Sequence, residues 1–209
     1  MNLETIMIMR HEILLVIAIL LVLIGEISNP KNKSNLIHFA IGLFAIVTAV
    51  GFLPIETGKL FGGMYQTTNL VILFKNILNI GTLIILLQAA NWLRKPENEY
   101  HTSEFFLIIF STLLGMQYMV SSGDFLMFYL GLETATIPLA ALAAFDRHKS
   151  VSAEAGAKLI LSSALSSGIL LFGLSLMYGI NGSLYFENMA ATVSVSPLMT
   201  LAFIFFFAG

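Results

Sequence analysis

Long apolar runs separated by short polar stretches dominate the chain. The first, unbroken from Ile13 to Ile24, predicts a helix over about Arg10–Ile27. The second covers Leu36–Leu53 and stops at Pro54, which cannot continue a helix through its own position. A third helix is expected over Leu70–Leu93 and a fourth over Phe105–Val120. Asp124 then reads as an N-cap for a fifth helix over Phe125–Phe145. The sixth spans about Ala153–Ile180 and closes at the Asn181-Gly182 turn signal. A spanning helix takes about 20 mostly apolar residues, and these six are of that order. The pattern predicts an all-α fold, a polytopic transmembrane helix bundle.

A seventh apolar run starts at Pro197 and is still apolar at Gly209. Thirteen residues of helix rise about 20 Å, against a hydrocarbon core of about 30 Å. A chain ending inside lipid would leave its last carbonyls without partners, so an N-terminal fragment is the expectation here. The first run follows Arg10 as a signal peptide would, but it continues into Gly25-Glu26-Ile27-Ser28 without an A-x-A-like cleavage site. It reads as a retained span.

Composition agrees with this picture: 57% of residues are hydrophobic, 11% are charged, and the mean hydropathy is +0.89. Soluble domains carry roughly 25% charged residues, so this chain cannot clothe a globule in polar side chains. Its surface must face lipid. A net charge of −2 offers no basic face for nucleic acid. The absence of cysteine excludes disulfides, thiolate metal sites and iron–sulfur ligation. His11, His38, His101 and His148 have no spacing that suits a haem or zinc ion, and read as interface or loop residues.

Charge does set an orientation. The connections after helices one, three and five hold Lys31, Lys33, Arg94, Lys95, Arg147 and Lys149, while the other side holds only Arg10 and Lys59. The positive-inside rule therefore puts those connections in the cytoplasm and the N-terminus outside.

Ionisable residues inside spans are functional candidates, since each costs about 2.5–3.5 kcal/mol at a helix centre. Glu133 lies near the middle of the fifth helix, within Tyr129-Leu130-Gly131-Leu132-Glu133-Thr134-Ala135-Thr136-Ile137-Pro138. Pro138 cannot donate to the Thr134 carbonyl, so that carbonyl, two threonine hydroxyls and the carboxyl are expected to form a polar pocket. Gly131 would let a neighbouring helix come close. Such a carboxyl suits proton transfer, and equally a hydrogen bond to another helix. Lys158 has two readings: an i, i+4 pair with Glu154, or a side chain near the depth of Glu133. Lys75, five residues inside the third helix, reads as a snorkelling lysine. Asn76 and Asn79 beside it are expected to face other helices. The small residues of the sixth helix, including Ala164 and Gly168, suggest a tightly packed interior helix.

From Ser103 to about Gly182 the chain resembles the antiporter-like subunits of respiratory complex I, the NADH–quinone oxidoreductases. The stretches that carry the resemblance are Leu113-Leu114-Gly115-Met116, Asp124 through Gly131-Leu132-Glu133 to Pro138-Leu139, and Ala143-Ala144-Phe145. Ser152-Ala153-Glu154-Ala155 with Lys158, Ala164-Leu165-Ser166-Ser167, and Leu174-Ser175-Leu176-Met177-Tyr178-Gly179 follow in order. The Gly-Leu-Glu triplet resembles the subunit N branch rather than its paralogues. Residues 1–100 match only in helix count and polarity.

The resemblance implies an antiporter-like fold of inverted five-helix repeats, of which this chain holds the first part. Residues 1–100 would be three N-terminal transmembrane helices. Residues 101–209 would open the first repeat, with helices four to six and a truncated helix seven. Glu133 would be the essential glutamate and Lys158 the sixth-helix lysine. A further lysine of the broken seventh helix would lie past Gly209.

The implied function is proton translocation by a non-redox subunit of a translocase that couples electron transfer from NADH to quinone to pumping. This chain would bind no cofactor itself, while the whole complex uses NADH, FMN, iron–sulfur clusters and quinone. Partners would be subunits J, K, L and M in the bacterial inner membrane. A related cation/proton antiporter or membrane-bound hydrogenase subunit is the first alternative. A structural or assembly subunit is the second.

Overall fold

The apolar runs fold as helices close to their expected limits in the computed structural model, which describes residues 7–28, 33–95, 101–146, 149–192 and 196–209. Lys31, Arg147 and His148 lie outside the described residues. The long helices are α1 (Arg10–Ser28), α2 (Lys33–Gly51), α3 (Asn69–Leu93), α4 (Thr102–Val120), α5 (Phe125–Ala143) and α6 (Ser150–Asn181). Among the described residues these six are long and apolar enough to cross a membrane. The chain is a multi-pass membrane helix bundle. Two shorter helices follow, α7 (Phe186–Thr192) and α8 (Pro197–Ala208).

Caps fall where short polar side chains precede the apolar runs. Thr68 accepts from Val71 N at the start of α3, Asp124 from Met127 N at α5, and Ser196 from Met199 N at α8. Gly182 ends α6 with φ of 67°, the left-handed conformation that makes glycine the usual stop.

A small β-hairpin between α2 and α3 was not expected. Strands β1 (Gly58–Leu60) and β2 (Tyr65–Thr67) pair antiparallel around a 3-10 turn at Phe61–Gly63. Gln66 N donates to Ser121 O and Gly123 N to Met64 O, each at 2.7 Å, so β2 is bonded to the α4–α5 connection. That connection in turn bridges at Asp124 to Tyr185. The three connecting segments thus form one cap over one end of the bundle.

Neighbours in sequence pack as neighbours in space, with α1 also against α4 and α6 against α8. Two apolar cores result. The first joins α1 to α4 through Leu15, Val22, Phe44, Leu86, Phe106 and Phe110, all fully buried. The second joins α6, α7 and α8 through Leu170, Leu174, Met177, Met189, Met199 and Ala202.

The α4–α5 contact is the closest between long helices. A Cβ on Gly115 would lie 2.3 Å from Ala135 N, and one on Gly131 would lie 2.5 Å from Met119 N. The close approach expected at Gly131 is present. Helix α6 departs from its interior-helix reading. Ala164 is exposed, and a Cβ on Gly168 would meet nothing within 4 Å. The small residues that pack are instead Gly156 against Ala144 and Gly173 against Phe206.

Candidate functional site

Glu133 sits nine residues into α5, half-buried, and accepts a hydrogen bond from Ser167 Oγ on α6. Tyr129, one turn earlier, lies against the same carboxyl. The two threonines do not complete a pocket around it. Thr134 Oγ1 donates to Leu130 O at 2.7 Å and Thr136 Oγ1 to Leu132 O at 3.0 Å, the back-bonding that hydroxyls adopt inside helices. Pro138 lies within the helix, so the Thr134 carbonyl has no i+4 donor. Besides Tyr129, the carboxyl thus takes a partner from the next helix, at a buried serine.

Lys158 is not beside Glu133. Its Nζ lies 2.5 Å from Glu154 Oε1, and the two side chains are 75% and 63% exposed. Gly156 meets Ala144, and Ser167 meets Glu133. That antiparallel register sets Lys158 level with about residue 142, some 13 Å along α5 from Glu133. Counting inward from the helix ends gives a smaller gap, because it assumes both helices start at one level. The 32-residue α6 instead overhangs the end of α5.

Lys75 corrects its snorkelling assignment. Its side chain is 0% exposed, and its Nζ lies 2.6 Å from Oε1 of Glu12, itself 1% exposed. Lys75 Nζ also donates to Tyr65 Oη at 2.9 Å. Ser121 Oγ reaches Glu12 Oε1 at 3.4 Å. On the same two helices His11 Nε2 lies 3.1 Å from Asn76 Oδ1, and from α4 Gln117 Nε2 donates to Asn79 Oδ1 at 2.9 Å. Asn76 and Asn79 face other helices, as expected. His11 is buried rather than interfacial. Helix α2 closes over this pair at Gly51, where a Cβ would lie 2.6 Å from Asn76 Oδ1.

The cluster therefore draws on α1, α3, α4, β2 and Ser121, beneath the hairpin cap. Burial, and then the Glu12 charge, push the Tyr65 phenol up from its ordinary value, so it stays a neutral hydroxyl. Glu12 escaped notice because Arg10-His11-Glu12 reads as a polar helix start. Both α1 and α3 begin on the same side of the bundle, and that shared side was the available signal.

The other two described histidines have ordinary partners: His38 meets Ser34 O and Arg94, and His101 meets Glu104. Among the described residues no three His, Cys, Asp or Glu side chains group as a metal site.

Residues 122–209, which hold Glu133, Pro138, Lys158 and Ser167, match the family model described as NADH:quinone oxidoreductase/Mrp antiporter, TM. The whole chain is 42% identical over 209 residues to NADH-quinone oxidoreductase subunit N of Phocaeicola vulgatus, 100% of this chain and 44% of that relative. Across its whole length the chain is similar to subunit N of NADH–quinone oxidoreductase. A second subunit N, from Azobacteroides pseudotrichonymphae, is 42% identical over 198 residues, 94% of this chain and 41% of the relative. The chain therefore spans less than half the length of these subunit N relatives.

Its fold is that of a chain in respiratory complex I from Thermus thermophilus with bound aureothin, with a TM-score of 0.73. Identity to that chain is 22%, over 95% of this chain and 42% of that one. A chain of the membrane-bound sulfane sulfur reductase, an archaeal respiratory membrane complex, aligns with a TM-score of 0.71. There the identity is 18%, over 99% of this chain and 43% of the other. A multi-pass bundle of membrane helices is the shared architecture.

Proposed function

We propose that this chain is part of a proton-translocating subunit of NADH–quinone oxidoreductase, with Glu133 as its proton-carrying group. The observation that carries the reading is the setting of Glu133. A half-buried carboxyl inside a spanning helix meets Ser167 of the next helix, beside a proline-freed carbonyl. Such a group is costly to hold in lipid and is retained where it conducts charge. In this reading the chain is a non-redox subunit of a translocase. NADH, FMN, iron–sulfur clusters and quinone belong to other subunits, in keeping with a chain that has no cysteine. Its neighbours are membrane subunits J, K, L and M. It lies in the bacterial inner membrane with the N-terminus outside. Lys158 is the second proton-path residue, and residues 101–209 open the first repeat after three N-terminal helices at 1–100.

The test is Glu133→Gln in the full-length subunit within its assembled complex. The amide keeps the shape and the Ser167 contact but cannot ionise. The complex should assemble normally and lose most of its coupled NADH–quinone activity and proton uptake, while Glu133→Asp keeps a substantial part of both. Wild-type uptake in Glu133→Gln would leave Glu133 a structural residue.

The family model's description also names Mrp antiporters, which favours a cation/proton antiporter subunit as the second reading. The two differ in what drives the protons. Uptake that follows NADH oxidation supports the first, and uptake that follows only an imposed sodium gradient supports the second.

A further inference from the structure

The ion pair between Glu12 and Lys75 takes no part in the Glu133 reading, yet it is the most deeply buried charge in the described residues. A pair kept only to join helices is a poor solution, because apolar side chains of the same volume hold a bundle at least as well. The surroundings are also incompletely satisfied. Glu12 Oε2, Asn79 Nδ2 and Gln117 Oε1 are buried without a hydrogen-bond partner. Buried polar atoms are nearly always paired, with protein or with ordered water.

These three atoms are ordered in depth. Asn79 follows Lys75 by one turn of α3, and its amide is bonded to Gln117 of α4. Gly115 meets Ala135 and Gly131 meets Met119, an antiparallel register that sets Gln117 level with residue 133. Polar groups thus run from the depth of Glu133, on the far side of α4, to the hairpin end of the bundle. There the fully buried Tyr65 and Ser121 cover the pair.

We propose that Glu12 and Lys75 form a second protonation site, which passes protons between the depth of Glu133 and the hairpin end through water held by Asn79 and Gln117. The proposal deepens the proton-translocating reading and rests on it. In the transfer step the Lys75 Nζ–H bond breaks and a Glu12 O–H bond forms, giving a neutral amine and a neutral carboxylic acid. The protonated carboxyl then turns about its Cγ–Cδ bond, and Glu12 releases that same proton from Oε1 to water on the hairpin side. Lys75 regains one from water on the Asn79–Gln117 side, and the pair returns to its starting charge.

The groups facing the pair leave it this freedom. From α1, Arg10 is bonded to the Leu53 and Pro54 carbonyls and His11 to Asn76. Tyr65 comes from β2 and Tyr118 from α4, and α2 contributes Gly51 with no charge of its own. No second cation is bonded to Glu12 among the described residues.

The test replaces both charges together, Glu12→Leu with Lys75→Met, in the full-length subunit of the assembled complex in closed vesicles. Removing both leaves no lone buried charge, so assembly should be normal. Proton uptake should fall at least about tenfold, a floor set below the roughly 100- to 10,000-fold that a positioned acid–base group contributes. Any smaller loss overturns the proposal. A second measurement needs no change in packing. Infrared difference spectra of the wild type after a pH step should show a protonated-carboxyl band that Glu12→Asp shifts and Glu12→Gln removes. No band assignable to Glu12 also overturns it. Glu133→Gln measured alongside separates the two claims. A loss there with normal uptake in the double variant sinks this inference alone. Normal uptake there sinks the reading beneath it, and the Glu12 band still decides whether the pair takes up a proton.

Discussion

Two lysines inside apolar helices meet opposite surroundings. Lys158 is exposed and paired one turn back with Glu154, an arrangement worth about 0.3–0.5 kcal/mol and easily given up. Lys75 is sealed in with Glu12. If Lys158 belongs to the proton path, Lys158→Ala should slow proton uptake severalfold, while Glu154→Ala leaves it near wild type. Uptake by reconstituted vesicles checks this, and equal effects would assign Lys158 to the local pair. The place of Glu133 inside a spanning helix was legible from sequence because its depth and its proline lie within that one helix. Lys75 was not, since snorkelling can be judged from one helix but burial depends on Glu12, Tyr65 and Gly51 from three other segments.

At the scale of elements, glycine decides how near α4 and α5 come. A Cβ on Gly115 would enter the backbone of Thr134 and Ala135, so Gly115→Ala should cost about 1–3 kcal/mol through overpacking. Gly168→Ala on α6, where the added carbon meets nothing, should leave thermal unfolding in detergent unchanged or slightly raised. A matching loss from Gly168→Ala would show that a close neighbour covers that face in the membrane. The six long helices were legible because each apolar run exceeds what a soluble fold needs. The hairpin was not, because three-residue strands are too short to alternate visibly. The length of α6 was under-read for a related reason: its first turn, Ser150-Val151-Ser152, is polar and looks like loop.

For the whole molecule, the charged ends of the bundle carry the orientation. Arg94, Lys95 and Lys149 lie at one end, while Lys59 pairs with Glu187 within the hairpin cap at the other. Single cysteines at Lys95 and Ser183 in this cysteine-free chain should label from opposite faces, Lys95 only from the cytoplasm. Labelling of Lys95 by an impermeant reagent in intact cells would reverse the topology. The family was legible in ordered motifs between Ser103 and Gly182, where close glycine contacts and intramembrane polar groups restrict what each position accepts. Residues 1–100 offered only apolar length, and lipid-facing positions accept many side chains.

The ion pair also has a history within each molecule's synthesis. Glu12 and Lys75 are 63 residues apart, so at about 5–20 residues per second the carboxylate waits roughly 3–13 s for its counter-charge. During that interval the start of α1 has only water or lipid headgroups to solvate Glu12, which holds that end at the membrane surface. Helix α1 therefore reaches its final depth only when α3 arrives.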